Sequence, residues 1–231
     1  MPRNLILGRI QEEILSLRAD HTIRVGIDGV GASGKTTLAD ELAARLEAAG
    51  REVVRATIDG FHHPRPHRIR RGADSVEGYY HDSFNYPAVC EAILHPLGPD
   101  GAGEFRRAVY DFRVEQHVDS PVETVGPGAI LIFDGMFLFR QELAEHWDYR
   151  VFVHADFHVT LNRAIERDLT LFGSEAEIRR RYQARYIPGQ TLYLDTVRPF
   201  DIADAVVHNN IPQTPTAHFA SDAGNPEGID T

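Results

Sequence analysis

The sequence predicts a three-layer α/β fold built on a mostly parallel sheet of about five strands, and three observations carry that expectation. Short apolar, β-branched runs at residues 22–28, 52–58, 129–133, 149–154 and 205–208 alternate with stretches whose apolar residues recur at helical spacing. The first run passes through a glycine-rich turn straight into a helical pattern and then a second strand, a βαβ unit that makes the two strands parallel. Residues 129–133 are apolar at every position, as in a central strand covered on both faces.

Taken along the chain, Leu5, Ile6, Ile10, Ile14 and Leu17 predict an amphipathic helix within residues 1–20 that packs on the main domain, residues 21–211. After the glycine-rich turn, Leu38, Leu42 and Leu46 share one helical face, which Gly50 closes. Residues 60–86 lose all periodicity, and a loop of that length inside a compact domain is usually functional. Residues 86–97 read as a helix, 98–103 as a turn, 105–118 as extended segments and 136–147 as helical by composition. Two helices around Gly173, residues 159–171 and 174–186, are expected to form a lid over residues 159–186. Residues 212–231 offer little to bury and are expected to be a poorly ordered tail.

Composition narrows the function classes. The 231 residues are 42% hydrophobic and carry a formal charge of −10, which opposes a long track of nucleic-acid contacts, so no nucleic-acid partner is expected and any anion must be gripped locally. No apolar stretch approaches the roughly 18 residues of a membrane span, and no membrane partner is expected. The single cysteine, Cys90, can form no internal disulfide and reads as an ordinary helix residue in a reduced, cytoplasmic protein. A homo-oligomer is compatible with all of this.

The turn between first strand and helix reads Gly29-Val30-Gly31-Ala32-Ser33-Gly34-Lys35-Thr36, which fits the phosphate-binding pattern G-x-x-x-x-G-K-[ST] in its required strand-to-helix context. Glycines at Gly29, Gly31 and Gly34 let the backbone curl, so that N–H groups from Ala32, Ser33 and onward through Thr37 converge on phosphate oxygens at a helix start. Lys35 supplies a charge for the terminal phosphates and the Thr36 hydroxyl a ligand for Mg²⁺. The same glycines also spell the dinucleotide fingerprint G-x-G-x-x-G. A dinucleotide turn has no use for Lys35 and Thr36, so the three-layer fold becomes a P-loop NTPase fold that takes ATP or GTP with Mg²⁺.

Such a site needs a carboxylate at the end of a buried strand to complete the metal shell, and Asp134 stands there, where it is also suited to cap a following helix. Asp59 ends the strand after the phosphate-loop helix and faces the crevice at the strands' carboxyl ends, a position for a general base or for a plain turn residue. Arg163 and Arg167 lie four apart on one predicted helix face and reach toward a transferring phosphate, or else pair with Glu166 and Asp168. Arg179, Arg180, Arg181 and Arg185 form a basic stripe that either steers a polyphosphate or is a solvated face. His62, His63, His67 and His81 do not fall into metal-ligand spacing.

The order of these motifs resembles the phosphoribulokinase and uridine kinase family, and within it the uridine-cytidine kinases, over residues 23–209. The anchors are the phosphate loop, Asp59 with Phe61, Asp82-Ser83-Phe84, Tyr110-Asp111-Phe112 with His117, Asp134-Gly135, and Arg163 with Arg167-Asp168. The resemblance implies that Asp59 acts as base toward a nucleoside 5′-hydroxyl, that Phe61 and Asp82 contact the sugar side, and that Tyr110, Phe112 and His117 line the base pocket. A substrate-contacting Gln of the family aligns with Arg181. Without the resemblance, Tyr110 and Phe112 read as one face of a core strand. Two departures, Asp134 where the family usually has Glu and Leu171-Phe172-Gly173-Ser174 where its lid has Arg-Gly-Arg, leave phosphoryl transfer intact and bear on nucleoside identity. Residues 185–193 have no evident counterpart there. The resemblance therefore implies an acceptor that is a small molecule with a hydroxyl, foremost uridine or cytidine. A kinase for pantothenate, glycerate or a sugar phosphate and a nucleotide-binding switch remain the alternatives, although the chain lacks the Asn-Lys-x-Asp guanine motif.

Overall fold

The computed structural model describes residues 2–224. An N-terminal helix α1 (Arg3–Ser16) leads to β1 (Ile23–Gly29), α2 (Lys35–Ala48) and β2 (Val53–Thr57). Short helices α3 (Arg65–Arg68), α4 (Val76–Asp82) and α5 (Tyr86–Val89) follow, α5 running on into a π-turn at Cys90–Leu94. Four two-residue strands, β3 (Glu104–Phe105), β4 (Tyr110–Asp111), β5 (Gln116–His117) and β6 (Glu123–Thr124), precede β7 (Ile130–Gly135) and β8 (Tyr149–His154). The segment expected to form a lid comprises α6 (Phe157–Phe172) and α7 (Glu175–Arg181), and a π-turn at Tyr182–Tyr186 joins α7 to α8 (Ile187–Val197). Helix α9 (Pro199–Ile202), β9 (Ala205–His208), β10 (Thr216–Phe219) and a 3₁₀ turn at Ala220–Gly224 complete the described chain.

The main sheet has six strands in the order β10-β9-β8-β1-β7-β2. All neighbours are parallel except β10, which pairs antiparallel with β9. The expected count of about five is thus met by the parallel strands, and the sixth comes from the segment read as a poorly ordered tail. Thr216–Phe219 escapes a pattern reading because only Phe219 buries a large side chain against α1, where Arg9 lies over its ring at 3.8 Å. Residues 225–231 of that tail lie outside the described residues.

Period-2 alternation divides the core. Ile130 and Ile132 face α1 and α2, meeting Ile10, Ile14, Leu38 and Leu42, while Leu131 and Phe133 face the other layer, with Phe61, Val89, Leu94 and Trp147. Each fully buried Ile or Leu contributes about 1.5–3 kcal/mol of transfer free energy, so α1 is fixed firmly to the sheet.

Residues 136–147 do not form the expected helix. Phe137, Leu138 and Phe139 are all buried, which one helical face cannot do for three consecutive residues; Phe137 takes a left-handed φ of 66° and only Ala144–His146 makes a 3₁₀ turn. Conversely, residues 187–197 form a helix despite Pro188, which follows directly on the wider winding of the π-turn Tyr182–Tyr186.

Candidate active site

Because β1 lies between β7 and β8, its carboxyl end opens at the middle of the sheet, and the phosphate loop starts there. Ala32 and Gly34 both take left-handed φ values, 57° and 94°, and so turn successive amides to one side. A Cβ on Gly34 would stand 2.5 Å from the Asn209 amide nitrogen, which itself donates to Ser33 O at 2.6 Å. The Ser33 hydroxyl is buried and has no partner, a donor left over for a ligand oxygen. Lys35 starts α2 and donates through Nζ to Val30 O at 3.2 Å. Burial pushes its pKa down, and Asp134, Asp59 and Asp28 oppose that push, so three carboxylates gather around one ammonium. Left-handed turns, a spare buried hydroxyl and a lysine fit a bound triphosphate.

Thr36 donates its hydroxyl to Asp134 Oδ2 at 2.6 Å, and Arg55 Nη2 holds the other carboxylate oxygen at 2.7 Å. The register of β2 on β7 puts Thr57 opposite Asp134, so Asp59, in the 3₁₀ turn Ile58–Phe61, stands just past that pair. The Thr57 hydroxyl accepts the Asp59 N–H at 3.4 Å and fixes the turn. The Asp59 charge reaches Lys35, His62 and Arg167. Asp59, Lys35, Thr36 and Asp134 are therefore brought together.

Beside Asp59, His62 donates from Nδ1 to Asp59 O across 3.1 Å and packs between Phe84 and Phe112, with ring centroids 4.6 and 4.4 Å away. Burial lowers its pKa, so the ring is neutral near pH 7. Phe112 is thus brought to the aromatic wall. Tyr110 is buried with its hydroxyl on Glu115 at 3.0 Å, its ring edge-on to exposed His117 at 5.3 Å. Phe61, expected beside the acceptor, is instead fully buried against Phe133. The neighbouring His62, half-buried, takes the other side of the turn, because a 3₁₀ turn sends successive side chains to different faces. Asp82 is also buried, with Arg70 at 2.6 Å and Arg71 at 2.8 Å on its two oxygens; burial pushes its carboxyl up, but the two guanidinium groups more than offset this and hold it below its usual range.

The two arginines of α6 divide. Arg163 donates to Asn209 O at 2.8 Å and Asn210 O at 3.0 Å and leans on Ala32 O, bracing the phosphate loop from behind. Arg167 forks onto Asp168 at 2.6 and 2.8 Å, as one of the sequence alternatives had it, while its charge still acts on Asp59 and Lys35. Arg181 is not at the site: its Nε pairs with Glu177 one turn back at 2.6 Å and its guanidinium lies over Phe172. Arg179 and Arg180 likewise pair with Glu175 and Glu177, so three of the stripe are ion-paired, while Arg185 donates to Ala73 O at 2.8 Å. A cavity of about 440 Å³ opens beside Ala32, Gly34, Thr37 and Arg163.

Three residues escape sequence reading. Asp28 is fully buried and accepts N–H groups of Gly29 at 2.6 Å and Phe139 at 3.2 Å together with the Tyr193 hydroxyl. Burial raises its pKa to about 6, with those donors pulling it back. Gln190 Oε1 accepts the Gly31 N–H at 2.6 Å. Gln190 and Tyr193 sit in the segment that had no role, and that unexplained segment was their only signal.

The chain matches the Phosphoribulokinase / Uridine kinase family over residues 24–216. Uridine-cytidine kinase B of Dictyostelium discoideum is 31% identical over 160 residues, which cover 68% of this chain and 63% of that one. Uridine kinase of Chlamydia pneumoniae is 25% identical over 199 residues, covering 85% and 86%. Among solved structures, a possible uridine kinase from Bacillus stearothermophilus aligns over 88% of this chain and 97% of its own with a TM-score of 0.69 at 21% identity. Phosphoribulokinase from Rhodobacter spheroides aligns over 91% and 82% with a TM-score of 0.60 at 16% identity. Both likenesses bear on the fold, a mostly parallel α/β sheet with a phosphate loop.

Proposed function

The chain belongs to the phosphoribulokinase / uridine kinase family, and from that membership we propose that it transfers the γ-phosphoryl group of ATP to the 5′-hydroxyl of uridine or cytidine. The observation that carries this reading is the shared field of Asp59, Lys35 and Arg167 beside the His62–Phe112 wall. A pyrimidine stacked on that wall would put its ribose hydroxyl next to Asp59, whereas Asp134, Asp82 and Asp168 each carry a bonded guanidinium.

Asp59 then orients the hydroxyl and accepts its proton as the oxygen bonds to phosphorus and the bond to the bridging oxygen of the donor breaks. Lys35, the loop amides and Arg167 hold the charge that spreads onto the transferred group. Bound Mg²⁺ would neutralise phosphate charge; the Thr36 hydroxyl would hold it, because its proton is committed to Asp134 and its lone pairs are free. The cavity beside Gly34 and Thr37 suits the nucleoside end of ATP. Among the described residues no helix is long and apolar enough to cross a membrane.

A second reading, a sugar-phosphate acceptor, is favoured by Arg70 and Arg71, which sit about half-exposed around Asp82. The test is product analysis by chromatography after incubation with Mg-ATP and, one at a time, uridine, cytidine, adenosine, glycerate, pantothenate and a pentose phosphate. Formation of UMP or CMP supports the proposal. Turnover of the pentose phosphate alone moves it to the second reading, and ADP release that no acceptor accelerates removes both.

A further inference from the structure

Away from the phosphate loop, three metal-ligand side chains meet. Cys90, His95 and His146 each offer one ligand atom, and these atoms lie within 4.8 Å of one another. The backbone arranges this. Cys90–Leu94 is a π-turn, closed by the His95 N–H on Cys90 O at 2.8 Å, and wider winding brings residues five apart toward one side, where an α-helix would splay them. His146 arrives from the 3₁₀ turn before β8, and its position is fixed on both sides. Its own N–H bonds Leu143 O at 3.0 Å, and Asp148 N–H bonds Arg24 O at 2.8 Å.

The spacing suits one ion. Cys90 Sγ and His146 Nε2 stand 3.6 Å apart, and the His95 and His146 ring centroids 5.2 Å. Zinc bonds of about 2.3 Å to sulfur and 2.0–2.1 Å to nitrogen at a tetrahedral angle require an S···N edge of about 3.6 Å. Thiolate and two imidazoles select zinc and its relatives over magnesium, so such an ion does not compete for the phosphate site. The nearby Arg24 guanidinium is already paired, with Asp148 at 3.2 Å, and Glu91 and Glu145 adjoin two of the ligands in the chain. Cys90 is half-buried and free, and His95 is exposed, so an ion can reach the site from solvent.

We infer that Cys90, His95 and His146 form a binding site for a zinc-type divalent cation, with water at the fourth position. Binding displaces the thiol proton to solvent and bonds the metal to the thiolate. The ion fastens the π-turn to the segment that enters β8, at the end of the sheet opposite the phosphate loop, where Arg24 contacts Leu94 O. It is independent of the kinase reading.

The test uses tag-free, chelator-stripped protein titrated with cobalt(II). Expected are one equivalent bound, the strong visible bands of tetrahedral cobalt, a sulfur-to-cobalt charge-transfer band, and displacement of all of these by zinc. Cys90→Ser removes the charge-transfer band, and His146→Ala weakens zinc binding by at least about 10-fold. Because either variant may fold poorly, the unmodified chain gives its own readout: stoichiometric zinc slows iodoacetamide alkylation of Cys90 at least about 10-fold, since the free thiolate is the nucleophile. A cobalt spectrum without the sulfur band, equal affinity in Cys90→Ser, or an unprotected thiol overturns the inference.

Discussion

Gln190 accepts the backbone N–H of Gly31 at 2.6 Å while its own amide donates to Tyr186 O at 2.9 Å, so helix α8 is tied to the phosphate loop by this side chain. The adjacent Gly189 has no room for a Cβ, which would meet the Tyr79 ring at 2.5 Å, and this close packing sets how near α8 approaches. Gln190→Glu keeps the shape and adds a negative charge beside a loop that receives phosphates. Like charges about 4 Å apart cost up to roughly 4 kcal/mol near a protein surface. The expected result is a KM for ATP raised at least about 10-fold with the acceptor KM little changed; an unaltered ATP KM in steady-state kinetics would separate Gln190 from the bound phosphates.

Asp59→Asn removes a proton acceptor but keeps the side chain's size and the Thr57 hydroxyl on its backbone N–H. General-base catalysis is typically worth roughly 10² to 10⁴ in rate. The kcat for phosphoryl transfer should fall at least about 10²-fold while ATP affinity, measured by calorimetry, stays within about 3-fold. Near-normal kcat would leave Asp59 as a turn residue.

The parts of this site legible in sequence are those whose chemistry is carried by consecutive residues or by strand ends. The phosphate loop is one stretch of chain, and Asp134 follows an apolar run that admits only one reading as a strand. Asp59 was placed by the same topological rule, that strands open at their carboxyl ends. What stayed hidden depends on contacts between distant segments. Asp28 and Tyr193 are 165 residues apart and Gly31 and Gln190 159, so no local period could pair them. Phe61 misled because one residue of a tight turn decides between core and cleft, and residues 136–147 because composition favours a helix while Asp28 takes the Phe139 N–H for itself.

On the proposed reading, Asp134 would act on bound Mg²⁺ through Thr36. With Oδ2 on the Thr36 hydroxyl and Oδ1 on Arg55, it would orient that hydroxyl and supply negative charge to the site. Asp134→Asn retains an acceptor for Thr36 and discards the charge. Loss of such an outer partner typically costs about 10- to 100-fold in metal affinity. The Mg²⁺ concentration for half-maximal activity should therefore rise about 10-fold or more, with activity partly restored at high Mg²⁺; a Mg²⁺ profile that coincides with the parent's would put the metal elsewhere.

Asp28 gives the fold a pH dependence whose sign is fixed by its burial. Its carboxyl titrates near about 6 in the folded chain against an ordinary 3.8, because burial outweighs the donors Tyr193, Gly29 and Phe139. Between those values the folded protein holds a proton that the unfolded chain has released. The resulting stability is fully present below about pH 4, declines as pH rises through about 6, and amounts to about 3 kcal/mol at most. Asp28→Asn cannot ionise, so it is free of this decline even though Asn supplies a poorer set of acceptors for the three donors. Urea unfolding of both proteins from pH 4.5 to 8 should show the parent losing stability relative to the variant as pH climbs to about 7, and then a constant difference. Tyr193→Phe deletes a donor that holds the carboxylate down, so in that background the loss should extend to higher pH. Parallel curves for parent and Asp28→Asn across the range would mean the carboxylate is ionised in the folded protein at every pH tested, and that the three donors together outweigh its burial.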